Sequence, residues 1–125
     1  MKLLRIESRE EDRCVVVGID IEPVLEVLQK QVGGDIQYLP VTDTIDAYIN
    51  ENGKLDKSMQ GKINPLATAL GHDVIGTHSS DYVVGPMLLV GVDKEGDEAS
   101  VPPSAVGILN KVAGDNGLEV KYELE

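Results

Sequence analysis

The chain contains neither Phe nor Trp, and that absence decides what its interior can be made of. Val, Ile and Leu must fill the core, with four Tyr as the only aromatic residues. Hydrophobic residues make up 42% of the 125. That is enough for one ordinary core at the common size of a single domain, and too much for wholesale disorder. The same shortage removes the aromatic platforms on which binders of single-stranded nucleic acid stack bases.

Apolar spacing divides the chain into short elements. Residues 2–6 and 14–19 read as strands joined by a polar connection, which suits a hairpin. Asp20-Ile-Glu-Pro23 reads as a helix start, with Val24, Leu25, Leu28 and Val32 at helical spacing and Gly33-Gly34 as the stop. Residues 36–39 form a short strand, and residues 43–50 alternate, with Ile45, Ala47 and Ile49 on one face. Asn52-Gly53 signals a tight turn, since both residues tolerate positive φ. Asn64-Pro-Leu-Ala-Thr-Ala-Leu-Gly71 specifies a helix of about two turns, with an Asn cap, Pro at its first position and Gly at its C-terminal αL position. Met87-Leu-Leu-Val90 is apolar on both faces and reads as a central strand. Asp93 to Asp97 is a turn, Pro102 and Pro103 open a last helix, and residues 118–125 alternate as a half-buried strand. The expected architecture is a single α+β domain over residues 1–125, a mainly antiparallel sheet carrying two or three short helices and covered on one side.

Twenty-two acidic residues against eleven basic ones give a net charge of −11. Such a field repels DNA, RNA and anionic membrane surfaces, so neither nucleic acid nor membrane is an expected partner. Cys14 is the only cysteine; an intramolecular disulfide is impossible, and Cys14-Val-Val-Val17 suits a buried thiol. No signal peptide or spanning segment is evident, so the expected location is the cytoplasm of a bacterial host cell.

Catalytic constellations are thin. His72 and His78, near Asp73 and Asp81, lack any recognised zinc spacing, and no nucleophile elbow, phosphate loop or dinucleotide fingerprint is present. Neither catalytic residues, nor a metal, nor a cofactor is expected. Two features stand out instead. Lys54, Lys57 and Lys62 give residues 54–62 a net charge of +2 in an otherwise acidic chain, and they lead into the predicted helix start. With Asn64 and Thr68 they make a candidate site for a phosphate-bearing, nucleotide-like small molecule. The second feature is acidic: Glu10, Glu11 and Asp12 in one connection, and Asp93, Glu95, Asp97 and Glu98 in another, could together engage a basic surface.

Four segments occur in an order that resembles the family catalogued as domain of unknown function 3846. They are Val32-Gly-Gly-Asp-Ile36, Ala47-Tyr-Ile-Asn-Glu-Asn-Gly-Lys-Leu55, Asn64-Pro-Leu-Ala-Thr-Ala-Leu70 and Val84-Gly-Pro-Met-Leu-Leu-Val-Gly-Val92. The resemblance spans about residues 28–110, with Asn64–Leu70 its most specific piece. It imports no catalytic residues. It implies a phage or mobile-element setting, and with it a small accessory protein that interferes with host machinery.

Two functions are therefore expected ahead of a third. One is a non-enzymatic binding protein that inhibits a host protein with a basic surface, in counter-defence, through its acidic face. The alternative is a binder that sequesters a nucleotide-like signal at the Lys54–Asn64 corner, as a homo-oligomer if the pocket lies between subunits. The third, a metal hydrolase using His72 and His78, has the least support.

Overall fold

A computed structural model describes residues 1–10, 13–54 and 62–125; Glu11, Asp12 and Lys57 lie outside the described residues. Two antiparallel strands, β1 (Lys2–Arg9) and β2 (Arg13–Asp20), form the expected hairpin. Helix α1 (Leu25–Val32) follows, then β3 (Ile36–Thr42) and β4 (Ile45–Asn50). Helix α2 (Pro65–Leu70) continues into a π-helical turn over Gly71–Ile75. The chain ends with β5 (Met87–Val92), the two-residue β6 (Glu98–Ala99), α3 (Ser104–Asp115) and β7 (Val120–Leu124). One sheet runs in the order β3-β4-β5-β1-β2-β7, with β6 beside β5. Every pairing is antiparallel except β2 with β7. The architecture is α+β.

Strand β5 is central, flanked by β4 and β1, because its side chains are apolar on both faces. Met87 and Leu89 face one cluster, with Ile6, Val16, Ala47 and the buried sides of α2 and α3. Leu88 and Val90 face the other, with Leu3, Val15, Val17 and the α1 residues Leu28 and Val32. The sheet is therefore covered on both sides, not one. The largest fully buried side chains are Leu, Ile, Met and Val, as a chain without Phe or Trp requires.

Local geometry corrects several expectations. Helix α1 begins at Leu25 with no side-chain cap, two residues beyond Pro23. Only Leu28 and Val32 bury; Val24 and Leu25 stay 51% and 58% exposed. Gly33 does take the αL position at φ 84°, but Gly71 is right-handed at φ −57°, and the αL stop comes at Gly76 with φ 89°. A Cβ on Gly71 would sit 2.9 Å from Thr77 Oγ1, so close approach explains that glycine. Gly53 is not among the glycines with positive φ. There a Cβ would lie 2.8 Å from the Val84 carbonyl oxygen. Strand β7 is an edge strand whose Leu124 is 92% exposed, so it is less buried than its alternation implies.

One residue joins the helical layer to the sheet. Asn64 is 1% exposed. Its Oδ1 accepts from the Ala67 N–H at 3.2 Å, capping α2, while Nδ2 donates to the carbonyls of Ile6 and Gly85, each at 2.9 Å. The β1–β5 register ends at Ile6 opposite Met87, so Asn64 satisfies backbone oxygen at the end of that ladder. Replacing it orphans buried groups, which costs more than the bonds contribute in net terms. Asn64→Ala should lower stability by about 2–4 kcal/mol, read as a lower urea midpoint at unchanged slope. Asn64→Asp keeps the cap oxygen but sets a carboxylate oxygen against two carbonyls, and should be at least as damaging.

Candidate functional site

The lysine corner is partly assembled. An open cavity of about 320 Å³ lies between the end of β4 and the segment before β5, lined among others by Gln37, Glu51, Lys54, Thr77, Asp81 and Tyr82. Lys54 forms an ion pair with Asp81 and lies over the Tyr82 ring, 4.4 Å from its centroid. The hydrogen bond from Lys54, followed by the Tyr82 N–H, holds the Asp81 carboxyl below its ordinary range. Asp81 and Glu51 offset the lysine's charge, so the cavity is mixed in sign, not cationic. Asn64 and Thr68 do not open onto it. Asn64 is committed as described, and Thr68 Oγ1 accepts from the Val83 N–H at 2.9 Å. Lys62 is exposed, with its carbonyl accepting from Gly85 N–H at 3.0 Å. The motif that suggested an anion site thus serves packing and capping, while Tyr82 and Asp81, from the segment 72–82, complete the cavity. Sequence offered no signal that would place them beside Lys54.

His72 and His78 each bond to the Ser80–Asp81 segment. His72 Nε2 lies 2.7 Å from the Asp81 carbonyl oxygen, and His78 Nδ1 lies 2.6 Å from Ser80 Oγ. Among the described residues no group of three His, Cys, Asp or Glu side chains is placed to hold a metal ion.

Glu10 and the Asp93–Glu98 cluster lie at opposite ends of the sheet. Glu10 follows β1, beyond Ile6 and its partner Met87, whereas Asp93–Glu98 follow β5 at the end where β1 starts. Seven residue steps along β1 separate these ends, about 24 Å at the rise of a strand. They do not form one face. The Asp93 end instead gains carboxylates that spacing did not reveal. Pairing of β4 with β5 sets Asp46 opposite Val90, and Val92 N–H donates to the Thr44 carbonyl at 2.9 Å, which brings the Asp43-Thr44 turn alongside. The acidic end therefore comprises Asp43, Asp46, Asp93, Glu95, Asp97 and Glu98. Asp93 is partly structural: its Oδ1 accepts from the N–H groups of Glu95 and Asp97, at 3.0 and 2.9 Å.

Much of the chain's positive charge is already engaged. Arg5 pairs with Glu7 and Glu125, Arg9 with Glu7 and Glu123, Lys54 with Asp81 and Lys111 with Asp115. The exposed pairs among these add little stability, whereas Arg5–Glu7 is largely buried; all of them neutralise cations locally, and the Asp43–Glu98 end, with Lys94 as the base in its turn, is a net negative surface.

A protein-family model described as Domain of unknown function (DUF3846) matches residues 1–112. The match is wider than the resemblance over 28–110 and takes in the β1–β2 hairpin, while β7 lies beyond it. No curated protein and no solved structure matches the chain. Among the described residues no helix is long and apolar enough to cross a membrane.

The crowding of carboxylates has a titratable reporter. Burial, then the charges of Glu98 and Asp46, push the Tyr48 phenol up to about 12. The fold favours the neutral phenol, so Tyr48's contribution to stability is intact below the ordinary value near 10 and disappears as pH rises through about 12. Glu98→Gln should bring the Tyr48 midpoint down in a tyrosine-ring NMR titration. An unmoved midpoint would place Glu98 too far from the ring to matter.

Proposed function

Because the chain belongs to this family of unknown function, which assigns it no activity, we propose from its surface that it is a non-enzymatic binding protein whose acidic end occupies a basic surface on another protein. The observation that carries this reading is the convergence of Asp43, Asp46, Glu95, Asp97 and Glu98 from two separate segments onto one end of the sheet. Charge held on a rigid sheet steers encounter with a basic partner and sets orientation. The resemblance noted in the sequence extends the proposal to a phage or mobile-element protein that blocks a host protein in counter-defence. Such a protein works inside the bacterial cytoplasm.

The cavity beside Lys54 favours a second reading, a binder of a small nucleotide-like molecule. Tyr82, 42% exposed, offers a ring face, and Gln37 and Thr77 offer hydrogen-bonding groups. The mixed charge around Lys54 supports a ligand carrying both donors and acceptors better than a bare polyphosphate.

The two readings separate on replacement. A partner captured from bacterial lysate and identified should bind the purified chain more weakly as salt rises from about 50 to 300 mM, within the range where screening shortens charge interactions. Asp43→Asn, Asp46→Asn, Glu95→Gln and Glu98→Gln combined should weaken that complex at least tenfold, with Glu10→Gln neutral. Equal affinity in the fourfold variant and in wild type would overturn the acidic-end proposal. For the second reading, native mass spectrometry should show an added mass of a few hundred daltons that Lys54→Ala abolishes; a ligand mass retained by Lys54→Ala would place its site elsewhere.

A further inference from the structure

The sheet ends in two edges, and they are built differently. At β3, Pro40 and a register irregularity between Pro40 and Thr42 blunt the strand, as edges that avoid pairing commonly are. At β7 there is neither Pro nor bulge. Its pairing with β2 is regular from Cys14 opposite Val120 to Gly18 opposite Leu124. The Glu125 N–H donates to the Gly18 carbonyl at 2.9 Å. Backbone groups alternate along a strand, so Lys121 and Glu123 also turn theirs toward β2, and Val120, Tyr122 and Leu124 turn theirs outward.

The outward residues are also the apolar ones. Leu124 is 92% exposed and Tyr122 40%, and the Tyr122 hydroxyl donates to Asn110 Oδ1 on α3 at 2.6 Å, which fixes the ring. Val106, one helical turn before Asn110 on the same side of α3, is 37% exposed. An open strand of this kind is a template for another strand.

We infer that β7 is a self-association edge, pairing antiparallel with β7 of a second copy about a two-fold axis at Tyr122. That register is self-complementary. Tyr122 meets its own equivalent, Val120 meets Leu124 of the partner subunit, and Lys121 meets Glu123 of the partner subunit, twice. Every outward N–H and C=O of Val120, Tyr122 and Leu124 then finds a partner, and Lys121 faces Glu123 of the partner subunit directly across the ladder, where opposite charges are favourable, adding to the contacts Glu123 makes within its own chain to Arg9 at 2.9 Å and Lys121 at 3.8 Å. Glu125, which would approach Glu119 of the partner subunit, is held by Arg5 at 3.2 Å. A five-residue edge is far smaller than a standard interface, so the dimer belongs to the weak class and forms at tens of micromolar.

The test is a charge exchange read by light scattering coupled to size exclusion, with circular dichroism confirming that each variant is folded. Wild type should rise with concentration toward twice the chain's 13.5 kDa. Lys121→Glu places two acids across the axis and Glu123→Lys two bases, so each alone should stay monomeric to at least tenfold higher concentration. Mixing the two variants restores both opposite-charge pairs and should restore the dimer. A wild type that stays monomeric to about 500 µM would overturn the inference. So would a dimer that survives in either single variant, or a mixture of folded variants that fails to associate.

Discussion

The architecture depends on how one buried amide is satisfied. Asn64 sits where three segments meet: the end of the β1–β5 ladder at Ile6, the Gly85 turn that leads into β5, and the first turn of α2. A six-residue helix cannot persist on its own, so α2 exists because its cap is anchored to the sheet and because Leu66, Ala67, Ala69 and Leu70 bury against it. The backbone of Asn64 adds to this, donating to Val83 at 2.8 Å and accepting from Thr68 at 2.9 Å. Thr68 then returns a side-chain bond to Val83 N–H. Each bond is modest alone, but in a dry site the cost of leaving any of them unmade is high. This explains why the most specific part of the sequence resemblance surrounds a residue with no spare bonding group for a ligand.

What was legible in the sequence was whatever local rules determine. Met87–Val90 announced a central strand because no face was polar. Gly33 announced a helix end, and Asn64-Pro65 a helix start, because caps are chemistry within one turn. The failures share a cause: the decisive neighbour lay outside the element being read. Gly71 and Gly53 looked like turn glycines, yet they are required by Thr77 Oγ1 and the Val84 carbonyl, contacts that no spacing reveals. Helix α1 was placed by an apolar stripe of four residues, of which only two bury. Its position on the opposite face from α2 and α3 follows from which face of β5 it meets.

The candidate sites show the same division. Charge counting found that the chain is acidic and that residues 54–62 are the exception, but not which charges become neighbours. Lys54 found Asp81 and Tyr82 across 27 and 28 residues and lost its character as an isolated cation. Glu10 and Asp93, grouped by type, belong to opposite ends. Asp43 in its turn and Asp46 in β4, unremarkable in the sequence, become part of the acidic end because β4 pairs with β5. Electrostatic sites in such a chain are a property of strand order before they are a property of composition.

Strand order also separates the residues the family model matches from those beyond it. The matched residues 1–112 contain six of the seven strands and end within α3. In that matched portion β2 is an edge, and Arg9, Arg13, Val15 and Val17 border it. Strand β7 covers that edge in parallel and brings Glu123 to Arg9 at 2.9 Å. The edge of the sheet on this side is therefore β7, in which Lys121 and Glu123 alternate with apolar residues. The acidic end at Asp43–Glu98 lies on the matched residues; the edge at β7 does not. The proposed binding to a basic partner and the inferred association through β7 therefore rest on different residues, the first within the matched range and the second beyond it.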